Sequence, residues 1–182
     1  ITDQWDLASE DLVNFAVHNG WCKGKSDFHF ANCYSDLIYS TFSGAQERRS
    51  CSYDFLSKKS GKIDTRKMIT MLRRHSGDDD WSPDRSLTEW TVCVHKGFGP
   101  IRASQTVGSL VCRLNQKQDT YFATGSSAPC ISTFKPIWMD AGLPDALNSQ
   151  PSDQYDPDSF WWQHELLHRK ILKDFSNRKR MI

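Results

Sequence analysis

The stretch that decides the fold, residues 105–136, reads QTVGSLVCRLNQKQDTYFATGSSAPCISTFKP. Small and β-branched residues fill positions 106–114, and a second extended run follows at 121–125, a pattern typical of two strands. Only residues 115–119 separate these runs, so we expect a β-hairpin. After Gly125, small residues and Pro129 form a bend in which backbone can pass close to backbone or to a ligand.

The rest of the chain is arranged around this hairpin. Residues 89–95 alternate apolar and polar side chains, which predicts a third strand and an antiparallel sheet over 87–138. Residues 1–86 form a helical and aromatic segment, with helices predicted over 9–18, 47–56 and 65–75 and a turn-rich acidic loop over 77–84. Residues 139–158 are rich in Pro and Asp and predict an irregular crossing. Residues 159–182 predict a C-terminal helix, and the whole reads as a single partial domain of the α+β class.

Two motifs, in this order, resemble the peptidase C69 family of dipeptidases and secernins. The first, Thr-Gly-x-x-x-Pro-x-x-Ser-x-Phe-Lys-Pro, covers residues 124–136, and the second, Trp-x-x-His-Glu-x-x-His-Arg, covers residues 161–169. The resemblance extends less closely over residues 1–61. It implies the αββα sandwich of an N-terminal-nucleophile hydrolase, of which this chain supplies only a part.

The resemblance also implies a function, the hydrolysis of amide bonds in short peptides by a cysteine dipeptidase. In such enzymes the chain's first residue attacks the carbonyl and its own α-amine serves as the base. Ile1 has no nucleophilic atom, so we expect no catalytic residue in this chain and a nucleophilic cysteine on an upstream segment of the same precursor. The expected partners are that segment and a small peptide, in a homo-oligomer of the assembled unit, without a cofactor. A catalytically silent, secernin-like interaction protein is the alternative.

Six residues are candidates for substrate contact. A histidine at the end of a strand, beside glycines, is typical of a site, although a hydrogen-bonded structural histidine fits the same position. Amide and hydroxyl groups near the start of the next strand, and small residues in the bend, can bind the polar ends of a peptide. A purely structural bend is the competing interpretation. The candidates are His95, Gln105, Thr106, Gly125, Ser126 and Ser127.

Residues 164–168 also match H-E-x-x-H, in which two histidines on one helical face bind zinc and the glutamate activates water. This makes a zinc peptidase the third functional hypothesis. Asp174 has the offset of a third ligand, but Ile171 stands where a glycine would permit the required turn. We therefore interpret His164 and His168 as structural and expect no metal there.

Composition bears on the binding partners of the chain and on its cellular compartment. The 182 residues carry 23 basic and 22 acidic side chains, a net charge of +1, so no basic field for nucleic acid is indicated. No apolar run approaches the roughly 20 residues that span a bilayer. Six cysteines form no C-x-x-C pair, and Cys93 and Cys112 lie in strand-like runs, which predicts buried thiols rather than ligands or bridges. This favours a reducing, cytoplasmic compartment, with an endolysosomal one as the alternative.

Overall fold

The structure, a computed structural model, describes residues 5–76, 81–86, 89–97, 99, 102–148 and 150–179. The chain divides into two compact units, residues 1–45 and 46–182. In chain order the described elements are α1 (Leu12–His18), α2 (Phe30–Tyr34), α3 (Leu37–Phe42), α4 (Ala45–Ser57), α5 (Thr65–Leu72), β1 (Ser109–Arg113), β2 (Thr120–Thr124), a 3-10 helix (Pro129–Ile131), β3 (Lys135–Ile137), α6 (Asp145–Asn148), α7 (Phe160–Leu172) and α8 (Phe175–Arg178).

The first unit has a small aromatic core of its own. Ala16 of α1, Phe28 and Cys33 of α2 are buried together. The Tyr34 ring stacks on Phe30, with ring centroids 5.1 Å apart, and its hydroxyl donates to the Leu12 carbonyl at 2.5 Å. A tyrosine suits this position because its apolar ring packs against the other rings while its hydroxyl keeps a hydrogen-bond partner.

The predicted hairpin is confirmed. β1 and β2 pair antiparallel, with Val111 opposite Phe122. The loop between them is closed by the Asp119 carboxylate, which accepts from the Asn115 N–H at 2.8 Å. An Asp side chain that binds backbone at a turn replaces a backbone hydrogen bond there. The hairpin is therefore set by local sequence at both its strands and its loop.

The third strand is not the one that we predict from the sequence. β3 pairs with β2 on the side away from β1, whereas residues 89–95 do not join this sheet. In that segment the Cys93 N–H donates to the Arg74 carbonyl at 3.1 Å, and the Val94 carbonyl accepts from Thr106 N–H at 2.9 Å. Residues 91–95 are all buried. The Cys93 N–H and the Val94 carbonyl thus bond to two different chain segments, and the backbone bends at Val92 and Cys93, so no strand ladder forms here.

Two predicted helix starts in the second unit are confirmed. Asp64 caps α5 by accepting from the Lys67 N–H at 2.8 Å, and Ser159 caps α7 by accepting from the Trp162 N–H. α5 ends three residues before His75, the predicted end of that helix. The core of this unit gathers two clusters, Trp81, Cys93, Ala128, Ile131, Ile171 and Phe175 in one and Phe55, Met71 and Val92 in the other.

Three further expectations need correction. The predicted C-terminal helix over 159–182 is divided into α7 and α8 in the described residues, because the backbone leaves the helical conformation at Asp174. Cys112 is exposed, because successive side chains of a strand face opposite sides and the buried neighbour Val111 takes the inner side of β1. The crossing at 139–158 contains a short helix, α6. Residues 77–80 of the predicted acidic loop, and residues 87 and 88 of the predicted sheet segment, lie outside the described residues. The described residues combine helices with a small antiparallel sheet, while the αββα sandwich stays a prediction.

Among the helices that the structure describes, none has the length and apolar character needed to cross a membrane.

α7 offers a matched pair of neighbours to test the packing of the second unit. Ile171 is 1% exposed, whereas Leu172 is 39% exposed. We expect Ile171→Ala to lower the free energy of unfolding by about 2–4 kcal/mol, because it leaves a cavity in the core. Leu172→Ala should cost less than about 1 kcal/mol. Urea unfolding followed by circular dichroism measures both, and equal losses would show that α7 is not packed as described.

Candidate functional site

A cavity of about 460 Å³ opens beside the bend that follows β2. Thr124, Gly125 and Ser126 line it on the side of the bend. Apolar side chains complete it, contributed by β3, by the α6 region and by the start of α7: Ile137, Leu143, Ala146, Leu147, Phe160 and Trp161. A concave, mostly apolar space with a few polar groups is typical of a small-molecule site.

Lys135 is the one charged side chain among the described residues that line this cavity. Its Nζ lies 5.1 Å from the centre of the Phe160 ring and donates to the Thr133 carbonyl at 3.3 Å. Burial lowers the pKa of Lys135 below its ordinary value. A partly desolvated ammonium group attracts an anion more strongly than one in bulk water does, because less water screens the pair.

Below the cavity, Ser132 holds the bend together. Its side chain is fully buried, and its hydroxyl lies 3.3 Å from the carbonyl oxygens of Ser126 and Ser127 and 3.2 Å from the Ser126 hydroxyl. The side chain of Ser127 is also bonded: its Oγ accepts a hydrogen bond from Gln105 Nε2 at 3.1 Å. Buried polar groups are stable only when they are paired, so this network gives the bend a single conformation.

The first histidine of H-E-x-x-H belongs to the same network. His164 Nε2 lies 2.9 Å from the Ser127 carbonyl oxygen and 3.1 Å from Ser132 Oγ. A carbonyl oxygen only accepts, so Nε2 carries the hydrogen and donates it. A protonated nitrogen has no lone pair to offer to a metal ion, and this geometry supports a structural role for His164.

The other two residues of H-E-x-x-H contact each other. His168 is buried, and its Nδ1 lies 3.2 Å from Glu165 Oε2. Glu165 Oε1 accepts from Arg169 Nε at 2.8 Å. The glutamate is thus bound to two side chains of its own helix. In a zinc peptidase it would face a metal-bound water instead.

A second constellation lies in the core of this unit and combines two thiols with two imidazoles. The donor atoms of His75, Cys93, His95 and Cys130 all lie within 4.8 Å of one another. His95 Nε2 is 3.6 Å from Cys93 Sγ and 3.2 Å from Cys130 Sγ. Among the described residues this is the one group of three or more such donors that converges.

Three chain segments bring these four residues together. Cys93 and His95 are two positions apart in the segment at 91–95, and the His95 ring faces the Cys93 sulfur. His75 follows the end of α5, and Cys130 lies in the 3-10 helix. Arg73 joins these last two segments, because its Nε donates to the Pro129 carbonyl at 3.0 Å and its other donor reaches the Ser132 carbonyl at 2.7 Å.

Aromatic rings enclose the constellation. The Trp81 ring stacks on His75 with centroids 3.6 Å apart, and Phe175 meets the His95 ring edge-on at 5.5 Å. The Trp81 indole N–H donates to Glu89 at 3.1 Å, which fixes the ring. The side chains that surround the thiols and imidazoles are therefore mostly apolar.

The enclosure changes how the constellation ionises. Burial raises the pKa of the Cys93 thiol, but hydrogen bonds from Cys130 and His95 outweigh burial and bring it down to about 5. The hydrogen bond to Cys93, followed by burial, raises the pKa of Cys130. Burial, followed by the nearby positive groups, lowers the pKa of His75 to about 3. The neighbours of these groups thus favour the charged form of Cys93, whereas burial favours the neutral form of His75.

The six predicted contact residues fall into two groups. Gly125 and Ser126 line the cavity, as a substrate site requires, and their role stays a prediction. The other four do not appear among its described lining residues. Ser127 and Gln105 bind each other, the Thr106 hydroxyl accepts from the Val94 N–H at 3.1 Å, and His95 faces the two thiols. These four connect chain segments beneath the bend.

Sequence reasoning missed Lys135 and the cluster of thiols and imidazoles. Lys135 lies inside the motif at 124–136 and carries no separate signal of its own. Cys93 and His95 give a weak signal, since a donor pair at i and i+2 on an extended segment shares one side. His75 and Cys130 are 55 positions apart (130 minus 75), and only the fold brings them together.

No protein-family model matches this chain, and no solved structure matches it.

The burial of His168 generates a prediction about pH. Burial lowers the pKa of His168 from its ordinary 6.5, although Glu165 acts in the opposite direction. The unfolded chain therefore binds a proton at His168 more readily than the folded state does. The contribution of neutral His168 to the free energy of unfolding is complete above pH 6.5 and is lost as pH falls below it. We expect His168→Gln to flatten the decline of the urea midpoint between pH 6.5 and pH 4.5. His18→Gln, at an exposed position, is the control and should decline like the unaltered chain; a decline in His168→Gln as steep as in the control would exclude this linkage.

Proposed function

We propose that this chain is part of a C69-type cysteine dipeptidase, which hydrolyses the amide bond of short peptides with a nucleophilic cysteine from an upstream segment of the same precursor. The observation that carries the proposal is the cavity beside the bend. Thr124, Gly125, Ser126 and Lys135 line it, and all four lie in the motif at 124–136 on which the resemblance rests. Four residues of the segment at 124–136 thus lie on one concave surface.

The chemistry of the cavity suits a short peptide with a free carboxyl end. Its volume of about 460 Å³ falls in the range of small-ligand sites. Apolar walls accommodate a side chain of the peptide, whereas the hydroxyls of Thr124 and Ser126 already bond to the Ser109 N–H and to Ser132. Lys135 supplies a single positive charge, which would pair with the terminal carboxylate and so orient the peptide.

The thiols of this chain do not fill the role of nucleophile. None of the described residues that line the cavity is a cysteine, and Cys93 is fully buried in the core. The proposal therefore assigns to this chain the binding and positioning of the peptide. The upstream cysteine attacks the carbonyl carbon while its own α-amine takes the thiol proton. That proton passes to the leaving amine as the C–N bond breaks, and water hydrolyses the resulting thioester to the acid and the free thiol.

Two other hypotheses make different demands on the same cavity. A catalytically silent, secernin-like protein would bind peptides there without turnover. A zinc peptidase would depend on His164 and His168, whose side chains are bound to the bend and to Glu165. Peptide hydrolysis by the assembled protein, made by co-expressing this chain with its upstream segment, separates the first hypothesis from the proposal. The sensitivity of that hydrolysis to changes in the cavity wall separates the zinc-peptidase hypothesis from the proposal.

Gly125 is suited to a test of the cavity. A Cβ added there meets no atom within 4 Å, and its backbone is not in the left-handed region, so a side chain fits without strain. We expect Gly125→Leu to fill the cavity and to lower kcat/KM for dipeptides about 100-fold or more, with an unchanged melting temperature. Gly24→Leu, equally unobstructed and in the other unit, is the matched control. Undiminished turnover by Gly125→Leu would remove the cavity from the reaction.

Lys135 tests the orientation of the peptide. We expect Lys135→Gln to raise KM about tenfold for dipeptides with a free carboxylate, because one charged hydrogen bond is lost. Dipeptides with an amidated C-terminus should be cleaved equally by the variant and the unaltered enzyme. Lys62→Gln, at an exposed position, serves as the control. A tenfold rise for the amidated substrate too would show that Lys135 does not bind the carboxylate.

A further inference from the structure

The cluster of His75, Cys93, His95 and Cys130 has the dimensions of a tetrahedral metal site. Bond lengths of about 2.3 Å for Zn–S and about 2.0 Å for Zn–N, at a tetrahedral angle, place sulfur and nitrogen ligands about 3.5 Å apart. His95 Nε2 lies 3.6 Å and 3.2 Å from the two sulfurs. All four donor atoms fall within 4.8 Å of one another, so one ion at their centre reaches each of them after small adjustments.

The cluster also contains a buried donor without a partner. His75 Nε2 is buried and has no hydrogen-bond partner among the described residues. The His75 ring is held against Trp81 by stacking, which limits its freedom to turn towards solvent. A buried ring nitrogen without a partner costs free energy, and ligation of a metal would remove that cost.

We propose that His75, Cys93, His95 and Cys130 bind one structural Zn²⁺ ion. On binding, the two thiols release their protons and each sulfur donates a lone pair to zinc, as does one nitrogen of each neutral imidazole. Two thiolates balance the charge of the ion, so the complete site is neutral and can lie among apolar rings. No electron transfer is involved.

The donor set points to zinc and to a closed site. Two sulfur and two nitrogen ligands in a tetrahedral arrangement are typical of zinc, and four protein ligands leave no open position for water or substrate. The ion would bind together the end of α5, the segment at 91–95 and the 3-10 helix. Arg73 already connects the end of α5 to the 3-10 helix. The zinc would connect the segment at 91–95 to both. The site therefore supports the bend and takes no part in chemistry.

This inference is independent of the proposed function. The site uses neither His164 nor His168, and its test needs no peptide hydrolysis. The chain is produced with zinc in the medium, purified under reducing conditions without chelators, and dialysed. Metal analysis should then find about one zinc per chain, and removal of zinc should lower the melting temperature by about 5–10 °C.

Substitutions identify the ligands. Cys93→Ser, Cys130→Ser, His75→Gln and His95→Gln should each retain at least tenfold less zinc after the same dialysis. Cys112→Ser removes an exposed thiol, and His168→Gln removes the second histidine of H-E-x-x-H. Both should retain zinc like the unaltered chain. X-ray absorption of the unaltered chain gives the ligand set directly, and we expect two sulfurs at about 2.3 Å and two nitrogens at about 2.0 Å. That measurement stands even if a variant fails to fold.

Four results would each overturn the proposal. One is the absence of zinc from the purified chain after addition of excess Zn²⁺. Another is an absorption spectrum without sulfur ligands. The third is zinc that survives in Cys93→Ser and Cys130→Ser but is lost in His168→Gln, which would move the metal to H-E-x-x-H. The last is a disulfide between Cys93 and Cys130 that persists in reducing buffer.

Discussion

The contact of Arg73 with the 3-10 helix is the interaction on which the second unit depends. The guanidinium donates to two backbone carbonyls, those of Pro129 and Ser132, and its face covers the Phe134 ring at 5.2 Å. Hydrogen bonds from a charged donor are about twice as strong as neutral ones, and two of them fix orientation as well as distance. Arg73 directly follows α5, so the helix and the bend move as one body. This junction holds the segment of His75 against that of Cys130 and anchors the Ser132 backbone beneath the bend.

The bend itself is stabilised from its interior. Ser132 is fully buried beneath Ser126 and Ser127, and His164 of α7 donates to the same group of oxygens. Small side chains are needed here because backbone, hydroxyls and an imidazole share a space that larger residues would fill. The residues of the motif therefore have two different structural roles. Thr124, Gly125 and Ser126 line the cavity. The hydroxyls of Ser126, Ser127 and Ser132 hold the bend from beneath.

The two histidine-containing patterns illustrate why spacing and chemistry have to be judged separately. H-E-x-x-H has the spacing of a zinc site, yet its histidines are bound to a carbonyl and to a carboxylate. The cluster of His75, Cys93, His95 and Cys130 has no recognisable spacing, yet its donor atoms converge. Helical periodicity places two side chains on one face, but it does not determine what meets that face. The partners come from distant segments and depend on how these pack.

The sequence by itself determined the local elements: the hairpin of β1 and β2, the starts of α5 and α7, and the small-residue bend after Gly125. Each follows from interactions within a few residues, such as an alternating pattern or a side chain that binds the next turn. Only the tertiary structure decided that residues 135–137, and not 89–95, supply the third strand, because both segments can be extended and the available backbone partners choose between them. It also decided that His95 faces two thiols, since Cys130 lies 35 positions away (130 minus 95) and burial of the surrounding rings brings it there.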